Sequence, residues 1–388
     1  MKRLPQKPGL SPCIFFFIDR NILVYHGIIV NNHWLAKEKG RPAVQTPRDQ
    51  KNIPRINWQS QCLKARYGEH VWRLGIDVGF TCPHRSPDRL RGGCRFCAPD
   101  GNISAYQKNQ AFAPAITQQI ERALIFTQKR YKAHAFFLYF QAYTCTNAPT
   151  ETLDRIYRYT IDVFWQAYER LNPSQHITPE LRASSKGPLK GLIVSTRPDC
   201  FDQEKAKLLA GFMEQGLEVW VELGLQSAHE ETLSFLHRKH GVEVFLDAMD
   251  IAKQNNLKRT VHLILGLPGE SHEMMIETAK LTAGTGTEGI KFHDFRIVKG
   301  SAFARSFPAG EITTMHPSRL PGLLADCLEV LPPWTEIVRL SADFRPEESI
   351  NIFPPMDKHI LAQLVETELA KRDSFQGRRF RADFRASP

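Results

Sequence analysis

Three of the chain's eight cysteines fall within sixteen residues, as Cys82, Cys94 and Cys97 in the spacing C-x11-C-x2-C. Thiolates are soft ligands that suit zinc or iron–sulfur clusters. The segment opens Gly79-Phe-Thr-Cys82-Pro-His84, passes through Gly92-Gly93 and closes Cys94-Arg-Phe-Cys97. The glycine pair lets backbone wrap a ligand. Two routes stay open on these residues alone. With His84 as fourth ligand the set is Cys₃His, a common structural zinc site. A four-iron cube normally takes four thiolates, so three would leave one iron open to a substrate or cosubstrate. Cys62, Cys145, Cys200 and Cys327 are scattered singly and read as core or loop residues.

Crowded cysteines without a regular framework point to a metal or cluster site in a reducing compartment. No run approaches the roughly 18 apolar residues that span a membrane. Ile14–Ile18 and Asn21–Val30 are broken by Asp19 and Arg20, and no signal peptide is visible. The expectation is a cytoplasmic protein that does not engage a membrane. The net charge of +10 is unevenly placed: residues 1–60 carry ten Lys/Arg against three Asp/Glu, and residues 370–388 carry six against two. The rest is close to neutral. Basic ends attract phosphate backbones, although solvated tails also look like this.

The cysteines need a scaffold, and the pattern from Trp58 supplies one. Strand-like runs at Val71–Val78, Ala135–Gln141, Gly191–Thr196, Glu218–Gly224, Thr260–Gly266 and Gly289–Phe295 alternate with helical stretches. Those stretches are Ala113–Tyr131, Thr150–Leu171, Asp202–Gln215, Val242–Gln254 and Ser271–Ala283, with Thr150 and Ser271 as helix caps. Alternation of this kind predicts βαβ units around parallel strands. Six units predict an α/β fold, a partial (β/α)₆ TIM-like barrel over residues 56–300. Residues 1–55 show no clean period and read as a poorly ordered basic extension, or as sequence upstream of the native start. Residues 173–190 read as a loop. Residues 301–388 read as a small helical and irregular C-terminal cap with a basic tail. In parallel barrels, chemistry sits at the carboxyl ends of the strands. There lie the cysteines, Gln141-Ala-Tyr143, Arg197-Pro-Asp199, Gly224-Leu-Gln226 and Gly266-Leu-Pro-Gly-Glu270.

With these motifs in order, the chain resembles radical S-adenosylmethionine enzymes. It is most similar to the branch of the Elongator catalytic subunit and its short bacterial relatives of the YhcC type. The carriers are Cys82-Pro-His with a long first gap, Gly92-Gly-Cys-Arg-Phe-Cys97 and Tyr139-Phe-Gln-Ala-Tyr143. They continue through Ser195-Thr-Arg-Pro-Asp199, Val221-Glu-Leu-Gly-Leu-Gln-Ser227, His262-Leu-Ile-Leu-Gly-Leu-Pro-Gly269 and Ile290-Lys-Phe-His293. The resemblance covers residues 58–380. Ser195 stands where the Elongator subunit has Glu. Only 88 residues follow residue 300, too few for a cap and an acetyltransferase domain together, so no such activity is expected.

The resemblance implies a [4Fe–4S] cluster on Cys82, Cys94 and Cys97, with S-adenosylmethionine chelating the fourth iron. One electron, from a donor such as flavodoxin or ferredoxin, then yields a 5′-deoxyadenosyl radical that abstracts hydrogen from substrate. It places Phe96 near the adenine and Gln141, Ala142 and Tyr143 near the methionyl amine. Glu222 and Gln226 become candidates for the ribose, with a barrel-interior ion pair to Arg197 as the other reading of Glu222. Gly266 is expected to pack against adenine. Arg197, Lys291 and His293 remain as substrate-side catalytic candidates. Lys291 and His293 share one face of a strand.

Three functions follow. The first is radical modification of an RNA base, in tRNA by analogy with the branch. It is joined by the basic C-terminal run, in which Phe375 and Phe380 are interleaved with arginines, a pattern suited to unpaired RNA. The second applies the same chemistry to a small molecule or peptide. The third is a zinc-stabilised RNA-binding protein without catalysis.

Overall fold

Parallel strands covered on both faces are apolar along their whole length, and Ala135-Phe-Phe-Leu-Tyr-Phe140 is buried at all six positions. A computed structural model describes residues 54–86, 92–98, 115–184, 186–307, 312–342 and 348–382, and backbone alone over 16–19, 22–25 and 28–31. Three short strands lead the chain: β1 (Phe16–Asp19), β2 (Ile22–Tyr25) and β3 (Ile28–Asn31). They pair antiparallel, with Tyr25 opposite Ile28. This corrects the expectation of no regular element there. Each strand is only four residues long, too short to show a period.

The main body then runs α1 (Gln59–Tyr67), β4 (Val71–Ile76), α2 (Ile116–Tyr131), β5 (Ala135–Phe140), α3 (Thr150–Leu171), α4 (Pro179–Arg182) and β6 (Leu189–Thr196). It continues α5 (Gln203–Gly211), β7 (Glu218–Gln226), α6 (Glu230–Phe235), α7 (Val242–Gln254), β8 (Lys258–Leu265), α8 (His272–Gly284) and β9 (Gly289–Asp294). Last come α9 (Ala302–Ser306), α10 (Leu320–Val330), β10 (Glu336–Arg339) and α11 (Lys358–Lys371).

The sheet order is β10-β9-β8-β7-β6-β5-β4, parallel throughout, forming an open half-barrel. The six anticipated strands are present, each within two residues of its expected bounds. The seventh, β10, lies in the segment read as helical and irregular. At four residues, Glu-Ile-Val-Arg, it is too short to alternate visibly, and its parallel pairing with β9 recruits it. Helix α4 and the first two residues of β6 likewise fall inside the segment read as a loop. Ser271 caps α8 by accepting from the Met274 amide, whereas Thr150 is the first helical residue of α3 and caps nothing.

Helix α3 buries Leu153, Tyr157, Ile161, Phe164 and Tyr168, a stripe at helical spacing, against the sheet's outer face. Inside the half-barrel, Leu63 of α1 joins Phe137, Ile193 and Trp220 to plug the amino-terminal end, here called the floor. Among the described residues no helix is long and apolar enough to cross a membrane.

The last strand is fastened by a distant side chain. Gln376, 3% exposed, accepts from the Asn57 amide at 3.0 Å and donates to the carbonyls of Pro332 and Thr335 at 2.8 Å each. Asn57 in turn donates to the Trp334 and Thr335 carbonyls, and the Ile337 amide donates to Asn57 O at 2.8 Å. The entering chain thereby covers the outer edge of β10. Gln376→Ala leaves the buried Asn57 amide without a partner and takes one of two donors from each of the Pro332 and Thr335 carbonyls, and is expected to cost about 2 kcal/mol in urea denaturation. An unchanged midpoint would contradict this clamp.

Candidate functional site

A turn built by glycine sets Cys94 against Cys97, with Cys82 near enough to feel their charge, although among the described residues no three such side chains stand in metal-holding geometry. Gly92 adopts φ +81°, and a β-carbon there would lie 2.4 Å from the His84 carbonyl oxygen. That carbonyl accepts from the Gly93 amide at 2.7 Å, folding the segment back on itself. The loop is then docked: the Arg95 amide donates to Leu236 O and the Phe303 amide to Arg95 O. Phe96 packs against the apolar cluster of Leu236, Phe295, Ile297 and Phe303.

Cys94 is 5% exposed and hydrogen-bonded to Cys97. Two buried guanidiniums face its sulfur, Arg197 Nη1 at 3.5 Å and Arg238 Nη1 at 3.6 Å. The Cys97 hydrogen bond and then the two arginine charges hold the Cys94 thiol well below its ordinary range, against the opposing effect of burial. Cys97 is pushed well above by donating that bond and by burial. Cys82 is raised by burial, which its 3.0 Å bond to Thr144 partly offsets.

Both arginines are themselves held. Arg197 spends Nε and Nη2 on Asp199 at 2.8 Å each, and Nη2 also reaches the Arg238 carbonyl at 2.6 Å. Arg238 donates from Nη2 to the Gly224 carbonyl at 2.7 Å. A β-carbon on Gly224 would lie 2.6 Å from that nitrogen and 2.4 Å from Gln226 Nε2, so only glycine admits both side chains. Non-glycine residues with positive φ gather here: Tyr143 (59°), Gln226 (73°), His237 (54°) and Lys239 (65°). Such strain clusters at ligand-binding sites. His84, the nitrogen that a Cys₃His zinc site needs, instead meets Asp199 at 3.3 Å.

Arg197, expected on the substrate side, therefore stands with the cysteines, and it makes no pair with Glu222. The Glu222 carboxylate, 0% exposed, has other partners on four strands. Arg73 donates to Oε1 at 2.7 Å. Tyr139, His262 and Lys291 meet Oε2 at 2.7, 2.9 and 2.9 Å. Lys291 also donates to the Tyr139 hydroxyl at 2.5 Å. The ring of His262 lies 5.3 Å from that of His293, which accepts from Arg339 at 3.0 Å. A polar belt thus crosses the half-barrel between the apolar floor and the cysteine loop. Both Glu222 oxygens accept from these neighbours, which matches the reading of Glu222 as a barrel-interior ion-pair residue, with partners other than Arg197.

The belt perturbs its members. Burial would raise Glu222, but Lys291, Arg73 and His262 hold it well below the carboxylate range. Burial lowers Lys291 to about 7, helped by Arg339 and Arg73 and opposed by Glu222. Burial and the Lys291 charge lower His262 to about 4.

The remaining sequence-expected residues sit at the mouth. Gln141 donates its amide to Ile76 O, Ala142 is buried, and the Tyr143 ring lies under the Arg85 guanidinium, 5.5 Å away. Gly266 donates its amide to Met275 Sδ at 3.0 Å and lines a small cavity of about 30 Å³ with Phe295 and Met315. Arg238, Thr144, Arg73 and His262 were given no role from sequence. The available signal for Arg73 was a charge inside an apolar strand run.

Comparison with known proteins identifies the family and the fold. Residues 80–282 match the family model of the Radical SAM superfamily, and residues 287–371 match that of the Radical_SAM C-terminal domain. Protein MJ0486 of Methanocaldococcus jannaschii is 32% identical over 320 residues, covering 82% of this chain and 90% of its own. Protein YhcC of Escherichia coli is 34% identical over 290 residues, covering 75% and 84%. The solved structure of archaeal Methanocaldococcus infernus Elp3 shares the fold, with a TM-score of 0.58 at 18% identity over 79% of this chain and 64% of that one.

The belt makes stability depend on pH. An unfolded histidine takes its proton near pH 6.5, whereas folded His262 resists until about 4. Between these values the unfolded chain binds more protons, so stability falls as pH falls. His262→Gln keeps a donor for Glu222 and removes the titration. Its urea midpoint should decline less between pH 6.5 and 4, by roughly 3 kcal/mol of unfolding free energy. Parallel curves for the two proteins would refute this account of His262.

Proposed function

This chain belongs to the radical S-adenosylmethionine superfamily and is a radical S-adenosylmethionine enzyme, and from that premise we propose that Cys82, Cys94 and Cys97 hold a [4Fe–4S] cluster, that S-adenosylmethionine binds beside it, and that the substrate is an RNA base. The observation that carries the reading is the Cys94–Cys97 pair, with Cys82 beside it, in which the Cys94 sulfur faces two buried guanidiniums. The donor set fits: soft ligands suit iron and sulfide, and the arginines offset the charge of the thiolates. His84 meets Asp199 through Nε2, so a zinc site would have to use its Nδ1.

A cluster held by Cys82, Cys94 and Cys97 would supply the single electron needed for reductive cleavage of S-adenosylmethionine, and with it the means to abstract a hydrogen atom from the substrate. The chain's own residues have simpler tasks. Arg238, anchored on Gly224, presents a fixed cation beside Cys94 for a carboxylate, while Arg197 holds Cys94 and the 238 carbonyl in place. Gln141 and Ala142, beside the left-handed turn at Tyr143, offer backbone carbonyls to the methionyl ammonium. Gln226 stands beside Arg238 as an amide partner for hydroxyls. Lys291 and His293 line the interior below. Lys291, near neutrality in pKa, holds or releases a proton at Nζ. A one-electron donor protein of the flavodoxin or ferredoxin kind completes the system. For the substrate, the support is charge placement: the positive excess sits at the two ends of the chain rather than in its neutral centre.

The test is anaerobic. Protein reconstituted with iron and sulfide, given dithionite and S-adenosylmethionine, should form 5′-deoxyadenosine, and Cys94→Ala should abolish it. Arg238→Met should keep its iron and lose at least tenfold in rate, an expected effect of removing one charged donor. Added total RNA should raise the rate and yield a nucleoside of altered mass. Full iron content without 5′-deoxyadenosine, with or without RNA, would overturn the chemical reading. Product formation indifferent to RNA would overturn the substrate class.

A further inference from the structure

A Lys/Arg-rich chain end is ordinarily a solvated tail, and residues 374–380 are the opposite. Their backbone is bonded into the protein at nearly every other position. The Ser374 amide donates to Leu369 O, Gln376 to Arg55 O, Gly377 to Leu328 O and Arg379 to Glu329 O, at 2.8 to 3.0 Å. With the Gln376 side chain buried, this turn cannot swing away from the barrel floor. What it presents outward is unusual for a rigid surface. Phe375 is 37% exposed with the Arg378 guanidinium 5.7 Å from its ring. Phe380 meets Trp334 edge-on at 5.4 Å, and Trp334 is itself 46% exposed.

The charges beside these rings differ in status. Arg372 and Arg379 are tied to Asp326 and Glu329 and serve the fold. Lys371, Arg378 and Arg381 are exposed and make no ion pair among the described residues. Flat aromatic faces held in place between unpaired cations match a ligand with both π-faces and phosphates. Stacking on such rings is tolerant of base identity, and the cations follow the backbone.

We propose that Trp334, Phe375 and Arg378 form a docking surface for unpaired RNA, on the barrel floor opposite the cysteine loop. The inference rests on the reading of RNA as substrate and adds to it where the RNA is gripped. Trp334 immediately precedes the entry to β10, so the surface faces away from the mouth where the thiols lie. It therefore binds RNA remote from the base that reacts. It supplies affinity without touching the chemistry, and it requires an RNA long enough to reach round the barrel.

The experiment uses the full chain and a fluorescein-labelled unstructured RNA of about 12 nucleotides, a length within single-strand site sizes. Fluorescence anisotropy is followed across a salt series. Trp334→Ala should weaken binding about tenfold with the salt slope unchanged, as loss of stacking requires. Arg378→Glu should weaken it at least tenfold and reduce the slope by about one. Lys207→Glu, a charge reversal on α5, controls for net charge and should have a small effect. RNA-free 5′-deoxyadenosine formation should be the same in all four proteins, which also reports that each is folded. If the unaltered protein binds the RNA and both floor variants bind equally well, this surface is wrong while the RNA reading survives. If the unaltered protein does not bind RNA at all, both fall. Equal competition by poly-glutamate would show a generic polyanion surface and overturn the assignment to RNA.

Discussion

One sulfur between two guanidiniums sets the terms for the rest of this structure. Bringing three thiols together at the mouth of a barrel concentrates negative charge as soon as they ionise, and a buried thiolate without cations is costly. Arg197 and Arg238 answer that demand, and each must then be buried and held in turn. Asp199 and the 238 carbonyl hold the first. The Gly224 carbonyl holds the second, through a contact that only glycine leaves room for. The positive φ angles at Gln226, His237 and Lys239 are read as the strain of threading Arg238 inward from the loop after α6.

The second constraint lies one layer below. A half-barrel has an open interior that an apolar core cannot fill completely. The chain fills it with a carboxylate, Glu222, surrounded by donors from β4, β5, β8 and β9. A buried ionic belt is weak evidence for stability. Its effect here is registry: each strand contributes a group at one height, so a slip of β9 would remove Lys291 from Glu222. The same belt leaves Lys291 near neutrality and His262 and His293 short of charge, beneath the site where chemistry is expected.

Most of the scaffold was legible before any coordinates, because strands of six to nine apolar residues alternating with amphipathic helices leave a periodic trace. The cysteines were legible because their ligand spacing is local. Strand β10 was not, since four residues following Pro332-Pro333 carry no period and its pairing with β9 decides its conformation. The partners of the functional groups were also hidden. Arg238 reaches Cys94 across 144 positions and Arg73 reaches Glu222 across 149. Such contacts are set by which strands lie side by side and at what height, and no local spacing encodes that. The partner of Arg197 was hidden for the same reason. Its place after β6 put it correctly at the mouth, yet only the fold shows that it turns toward Cys94 rather than Glu222.

The central claim is that the cysteine loop and its two arginines form an S-adenosylmethionine-binding cluster site. The most direct measurement is electron paramagnetic resonance of the anaerobically reconstituted, dithionite-reduced protein, with and without S-adenosylmethionine, alongside iron and sulfide analysis. The account predicts a reduced cubane signal whose g-values shift when S-adenosylmethionine is added. It also predicts that Arg238→Met keeps the signal and loses the shift. Zinc in place of iron, or a cluster signal indifferent to S-adenosylmethionine in the unaltered protein, would contradict it.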